Sequence, residues 1–193
     1  MNSKKLILAS QSPRRKDLLT QAGFAFEVRV ADIDEENYPP DLEIDKIPVY
    51  LAEAKAKKIQ SNCMGEDILI LAADSLVFQK DKIFTKPLDR NNAIEIIQAL
   101  SGATHTVITG VCLLGLNFIE SKSVHTRVSF EKFTQDEIEY YVDNYQPFDK
   151  AGAYGIQDWL GLCKVSRIEG SYSNIMGLPM ETIYQMLKNT YSP

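Results

Sequence analysis

The sequence is short of the features that make chemistry easy to read. Its three cysteines, Cys63, Cys112 and Cys163, are far apart and show no CxxC spacing, so neither a disulfide framework nor a zinc site is indicated. Its two histidines, His105 and His125, have no metal-ligand spacing, and there is no GxSxG segment. A Ser/His/Asp triad is therefore unsupported. No stretch approaches the roughly 18 consecutive apolar residues that a membrane span needs. The opening, MNSKKLILAS, has two lysines but then only four apolar residues before Ser10, too few for a secretory leader. The expectation is a cytosolic protein with no membrane partner. Positive charge is also scarce, since 21 Lys and Arg against 26 Asp and Glu give a net charge of −5. Nothing draws such a chain globally to a nucleic acid polymer, and any site for a polyanion needs a local concentration of cations. Internal repeats, low-complexity tracts and dividing linkers are absent as well.

What is present is an ordinary globular composition, 45% hydrophobic and 24% charged over 193 residues. That length suffices for one domain, here residues 1–193, with a large core and, at most, two lobes. Leu6–Ala9 fits a buried strand. Ser12 as N-cap, Pro13 at the first helical position and Gly23 as the stop then frame a helix. Residues 31–45, acidic and holding Pro39-Pro40, read as a loop, and Pro48 opens a helix to about Gln60. Ile68–Ala73 is uninterrupted and apolar, as for a strand covered on both faces. Ser75–Gln79 and Ile83–Thr85 flank Lys80-Asp81-Lys82 as a hairpin, and Asp89 caps a helix over Ala93–Leu100. Thr104–Leu114 and Phe118–Phe130 alternate like two long strands. Thr134 with Glu137 forms a capping box for a helix to about Asn144. Leu162–Ile168 reads as a strand and Pro179–Lys188 as a final helix. Crossovers mixed with hairpins predict an α/β domain with a mixed central sheet and flanking helices.

Several residues do not fit their places. Arg14 and Arg15 stand in a first helical turn, where the macrodipole disfavours cations: this is either a capped helix with two solvated arginines or a site for an anion held also by Ser10 and Ser12. Lys55, four residues from both Leu51 and Ile59, interrupts an apolar stripe and either snorkels to water or points an ammonium into a cleft. Lys86 is held extended by Pro87. Asp74 follows a buried strand, at the end where ligand crevices open in α/β sheets, and a buried carboxylate there is paired, hydrogen-bonded or bound to metal. Asp34-Glu35-Glu36 is either a solvated loop or the source of a second oxygen ligand for a hard cation. Asp149–Gln157 combines small residues with polar ends. Gln157 offers both a donor and an acceptor, the pattern that reads a base edge or a sugar hydroxyl. Four cations and one strand-end carboxylate form an inventory suited to phosphoryl chemistry.

The segments LILASQSPRRKDLL, LAADSLVF, KPLDRNNA, LSGATHTVITGV, DKAGAYGIQ and GSYSNIMGLPM resemble successive motifs of Maf-type nucleotide pyrophosphatases, in order from Leu6 to Met180. The resemblance implies a Maf-like, ITPase-like α/β fold with two lobes around a cleft. It also implies hydrolysis of a nucleoside triphosphate to monophosphate and pyrophosphate, a divalent cation (Mg²⁺ or Mn²⁺) and a homodimer. By position it gives Ser10, Arg14, Arg15, Lys55 and Lys86 as phosphate contacts, Asp74 as catalytic base and metal ligand, and Glu35 as its metal partner. The ending AYGIQ is similar to the branch that prefers dTTP and UTP, with Arg14, Ser75 and Gln157 linked to substrate choice. Ser75 departs from the threonine common there, keeping the hydroxyl and losing a methyl. The other readings are 7-methyl-GTP hydrolysis and a non-hydrolytic nucleotide-binding regulator of cell division.

Overall fold

A computed structural model describes residues 4–63, 67–188 and 191. Seven strands form one mixed sheet: β1 (Lys5–Leu8), β2 (Glu27–Val28), β3 (Ile68–Gln79), β4 (Lys82–Phe84), β5 (Thr104–Leu114), β6 (Ile119–Phe130) and β7 (Val165–Glu169). The strand order is β2-β1-β3-β5-β6-β7, with β4 paired to β3. The helices are α1 (Pro13–Gln21), α2 (Ile47–Ser61), α3 (Arg90–Leu100), α4 (Gln135–Tyr145), α5 (Trp159–Lys164), α6 (Tyr172–Ile175) and α7 (Met180–Leu187). The expected α/β class and mixed sheet are therefore observed.

The chain divides into two compact units, Met1–Asp74 with Thr109–Val124 and Gly177–Pro193, and Ser75–Ile108 with His125–Met176. In the first, β1 runs parallel to both β2 and β3, with Leu8 opposite Leu71. The sheet is covered on both faces. One face packs Leu6, Leu8, Leu69 and Leu71 with Leu19 and with Ile183 and Leu187 of α7, and the other packs Ile7, Ile70 and Ala72 with Ala52, Ala56 and Ile59 of α2. Continuous apolar runs are the consequence, because every side chain of such a strand is inside. In the second unit a core of Phe84, Ile97, Leu100, Phe130 and Tyr141 joins α3 and α4 to their strands.

Several boundaries differ from the sequence reading. Leu162–Ile168 is not one strand: residues to Lys164 belong to α5 and β7 starts at Val165. Gly161 makes the short helix feasible, since a Cβ there would overlap the Ile156 carbonyl. The strand ending at Ala73 and the first arm of the hairpin are one element, because β3 continues through the polar pair Asp74-Ser75 to Gln79. Ser12 occupies the N-cap position of α1 without a side-chain capping bond. Its N–H donates instead to Ser10 Oγ at 3.2 Å. Asp89 caps α3 through the Asn92 N–H, so that helix begins at Arg90, and the Thr134/Glu137 capping box is formed in full.

Candidate active site

The parallel register of β1 and β3 decides which residues meet. The Ala9 N–H donates to Leu71 O at 2.8 Å, so Ser10 lies just past the carboxyl end of β1, while the neighbouring β3 runs on through Asp74 to Gln79. In an α/β sheet this carboxyl edge is where ligands bind. Ser10 is buried, and the turn after it starts α1 with Pro13, putting Arg14 and Arg15 in the first helical turn.

Arg15 does not simply extend to solvent. Its Nη1 donates to Ala73 O at 2.8 Å and to Ser10 Oγ at 3.3 Å, and its Nε donates to Gly177 O at 2.7 Å. The guanidinium thus ties the start of α1 to the residue before Asp74 and to the turn before α7. Burial lowers the Arg15 pKa from the ordinary arginine value, and the negative charge of Asp74 acts in the opposite sense. The planar fork suits this task, because it satisfies several acceptors in fixed directions.

Lys55 is 7% exposed. It does not snorkel: its Nζ donates to Asp74 Oδ1 at 2.6 Å and lies 2.6 Å from Glu35 Oε1. Leu51, Ala52, Ala56 and Ile59 seat α2 on the sheet, which commits the intervening lysine to the same side. A buried ammonium requires an anionic partner, and here two carboxylates supply it. Asp74 is largely shielded, whereas Glu35 is half exposed, so the Glu35 limb is the more strongly screened of the two. Ser10, Arg15, Lys55, Asp74 and Glu35 are in this way brought together within the first unit.

The donor set bears on a divalent cation. Among the described residues there is no group of three or more His, Cys, Asp and Glu arranged to hold a metal. Glu35 and Asp74 nonetheless present hard oxygen atoms to one common nitrogen. Two carboxylates completed by water and substrate phosphates are the usual environment of Mg²⁺ bound with a nucleotide, so these residues fit such a cation.

Ser75, Lys86 and Gln157 belong to the second unit. Ser75 follows Asp74 in β3, and Lys86 is exposed in the segment after β4. Gln157 lies in the turn before α5, with its Oε1 buried and without a hydrogen-bond partner. An unsatisfied buried acceptor is costly and is commonly completed by a ligand or water. The residues that sequence reasoning missed are Ala73 and Gly177, which act through backbone carbonyls. Gly177 carries a positive φ of 100°, and the only hint was its place in the GSYSNIMGLPM segment.

Comparison with known proteins identifies the family. The family model described as Maf-like protein matches residues 5–190. A dTTP/UTP pyrophosphatase of Bacteroides fragilis is 45% identical over 184 residues, covering 95% of each chain. A protein of the same description from Porphyromonas gingivalis is 42% identical over 186 residues, 96% of this chain and 94% of its own. A solved structure described as a nucleoside-triphosphatase / dITP/XTP pyrophosphatase from Mycobacterium abscessus is similar with a TM-score of 0.36 and 13% identity, covering 65% of this chain and 74% of that one. With a family match over nearly its whole length and relatives above 40% identity, the chain belongs to the Maf-like protein family.

Proposed function

We propose that the protein is a nucleoside triphosphate pyrophosphatase that hydrolyses dTTP and UTP to the monophosphate and pyrophosphate. The observation that carries this reading is the buried Lys55 ammonium holding the β3 carboxylate of Asp74 at 2.6 Å beside the anchored Arg15, in a chain whose relatives are described as dTTP/UTP pyrophosphatases. A water oxygen attacks the α-phosphorus, the bond from that phosphorus to the bridging oxygen breaks, and pyrophosphate leaves. Asp74 is the general base that takes the proton from the water. Lys55 fixes the orientation of that carboxylate, and Ser10, Arg14, Arg15 and Lys86 offset the charge of the phosphate oxygens.

Glu35 and Asp74 are the residues that would hold Mg²⁺ or Mn²⁺. When bound, the cation would neutralise phosphate charge. The buried Gln157 Oε1 supports the pyrimidine preference: thymine and uracil carry an imide N3–H that can donate to it, whereas cytosine presents an acceptor at the same position. Arg14 and Ser75 complete the set we assign to substrate choice. A cytosolic location and a homodimer belong to the same proposal. Among the described residues no helix is long and apolar enough to cross a membrane. Sedimentation equilibrium reads the dimer directly.

The test is release of pyrophosphate and monophosphate from dTTP, UTP, CTP, GTP, 7-methyl-GTP and ITP with Mg²⁺ or Mn²⁺. Release from dTTP and UTP well above the others is expected. Preference for 7-methyl-GTP would overturn the reading of Gln157, and nucleotide binding without release from any substrate would favour the regulator.

A further inference from the structure

The turn that carries Gln157 is held from below by a residue with no part in the site described so far. Tyr141 of α4 is fully buried, and its hydroxyl makes two bonds. It accepts from the Gly155 N–H at 3.0 Å and donates to Asp158 Oδ2 at 2.9 Å. These two partners flank Ile156-Gln157 on either side. The Asp158 carboxylate folds back over Gly155 closely enough that a Cβ at Gly155 would overlap it. Lys150 Nζ, at the start of the same segment, lies 4.0 Å from Asp158 Oδ2. The foundation is firm, because α4 is fixed at its start by the Thr134/Glu137 capping box and packs through Ile138 and Val142 into the core of the second unit.

We infer that Tyr141 is a positioning residue for base selection: its hydroxyl pins Gly155 and Asp158 together and so sets the direction of the buried Gln157 Oε1. The inference rests on the pyrimidine-nucleotide reading above and extends it to a residue that touches no substrate. The physical argument is one of freedom. A glutamine has three rotatable side-chain bonds, and Gly152 and Gly155 in the segment leading to it add backbone freedom. An acceptor discriminates an imide N–H from a ring nitrogen only if it cannot rotate to offer its amide N–H₂ instead. Burial raises the pKa of Tyr141 above the ordinary phenol value, which keeps the hydroxyl protonated and able to donate at every pH where the protein works.

The experiment compares UTP and CTP on the wild-type protein, Tyr141→Phe, Gly155→Ala and, as a control, Tyr140→Phe, whose ring is half exposed and stacks edge-on against Trp159. In Tyr141→Phe, KM for UTP should rise about tenfold with kcat little changed, while CTP is scarcely affected, so that the UTP/CTP ratio of kcat/KM falls toward one. Gly155→Ala, which displaces the same carboxylate from a different atom, should do likewise if Tyr141→Phe fails to fold. Tyr140→Phe should keep the wild-type ratio. A structural role alone would lower both substrates together, and an unchanged ratio in a folded Tyr141→Phe would overturn the inference. Binding of UTP and CTP measured by calorimetry without divalent cation gives the same ratio with no turnover required. A wild-type protein that discriminates in binding but releases no pyrophosphate would overturn the hydrolase reading and leave this one standing. One that binds UTP and CTP alike would overturn this one.

Discussion

Lys55 and Arg15 illustrate how much of the site depends on cations that face inward. Each interrupts a local pattern, an apolar helical stripe in one case and a helix N-terminus in the other, and both anomalies were visible in the sequence. Their partners were not. Lys55 meets Glu35 and Asp74, twenty and nineteen positions away along the chain, and Arg15 meets the carbonyls of Ala73 and Gly177. A backbone carbonyl has no residue-type signature, so a sequence cannot announce it as a ligand. His105 carries a further consequence at this scale. Its Nε2 lies 2.7 Å from the Tyr154 hydroxyl, and its Nδ1 has no hydrogen-bond partner. Burial lowers its pKa to about 4, against roughly 6.5 in an unfolded chain. The unfolded state therefore binds the extra proton first as pH falls. Stability is unaffected by this group above about pH 6.5, declines between there and about pH 4, and levels off below. Replacing His105 with Gln, which keeps a polar partner for Tyr154, should remove about 2 kcal/mol of the loss in unfolding free energy between pH 7 and pH 5. Urea denaturation at the two pH values measures it, and an identical loss in the variant would contradict the assignment.

The elements that could be read from the sequence are those whose pattern has a local cause. β1 and the first half of β3 are continuous apolar runs because both faces are covered, and α4 is announced by its capping box. Misreadings occurred where a tertiary requirement overrides the pattern. β3 continues through Asp74-Ser75 to pair with β4 at Val77–Gln79, and the polar pair, whose carboxylate is held by Lys55, interrupts its apolar run. α5 was hidden because six residues are too few to show a helical period. The seating of α2 offers a direct test at this scale. Gly110 of β5 lies against the main chain of Pro48 and Val49 at the start of α2, where an added Cβ would overlap backbone atoms that cannot rotate away. Gly110→Ala should therefore lower unfolding stability by about 3 kcal/mol. Because α2 carries Lys55, pyrophosphate release should fall with it. A variant with the wild-type urea midpoint would show that the helix does not depend on this close approach.

At the scale of the whole molecule, the chain builds two units with their own cores and passes between them four times. Asp74 is the last residue before the first passage, and Gly177, which takes the Arg15 Nε–H, is the first after the last. The family motifs follow the same course from one end of the chain to the other, which is why the reaction class was legible from their order while the hydrogen-bond network was not. Asp74 and Glu35, thirty-nine positions apart in sequence, meet at one buried lysine. The hydrolase account gives these two carboxylates and the ammonium between them a common task.

The most direct test is a comparison of wild type with Asp74→Asn, following UTP binding and single-turnover pyrophosphate release on the same preparations. The account predicts that the variant folds, binds UTP within a few fold of wild type and releases pyrophosphate at least about a hundredfold more slowly, as expected when a general base is lost. Release at the wild-type rate from a folded Asp74→Asn protein would contradict the central claim.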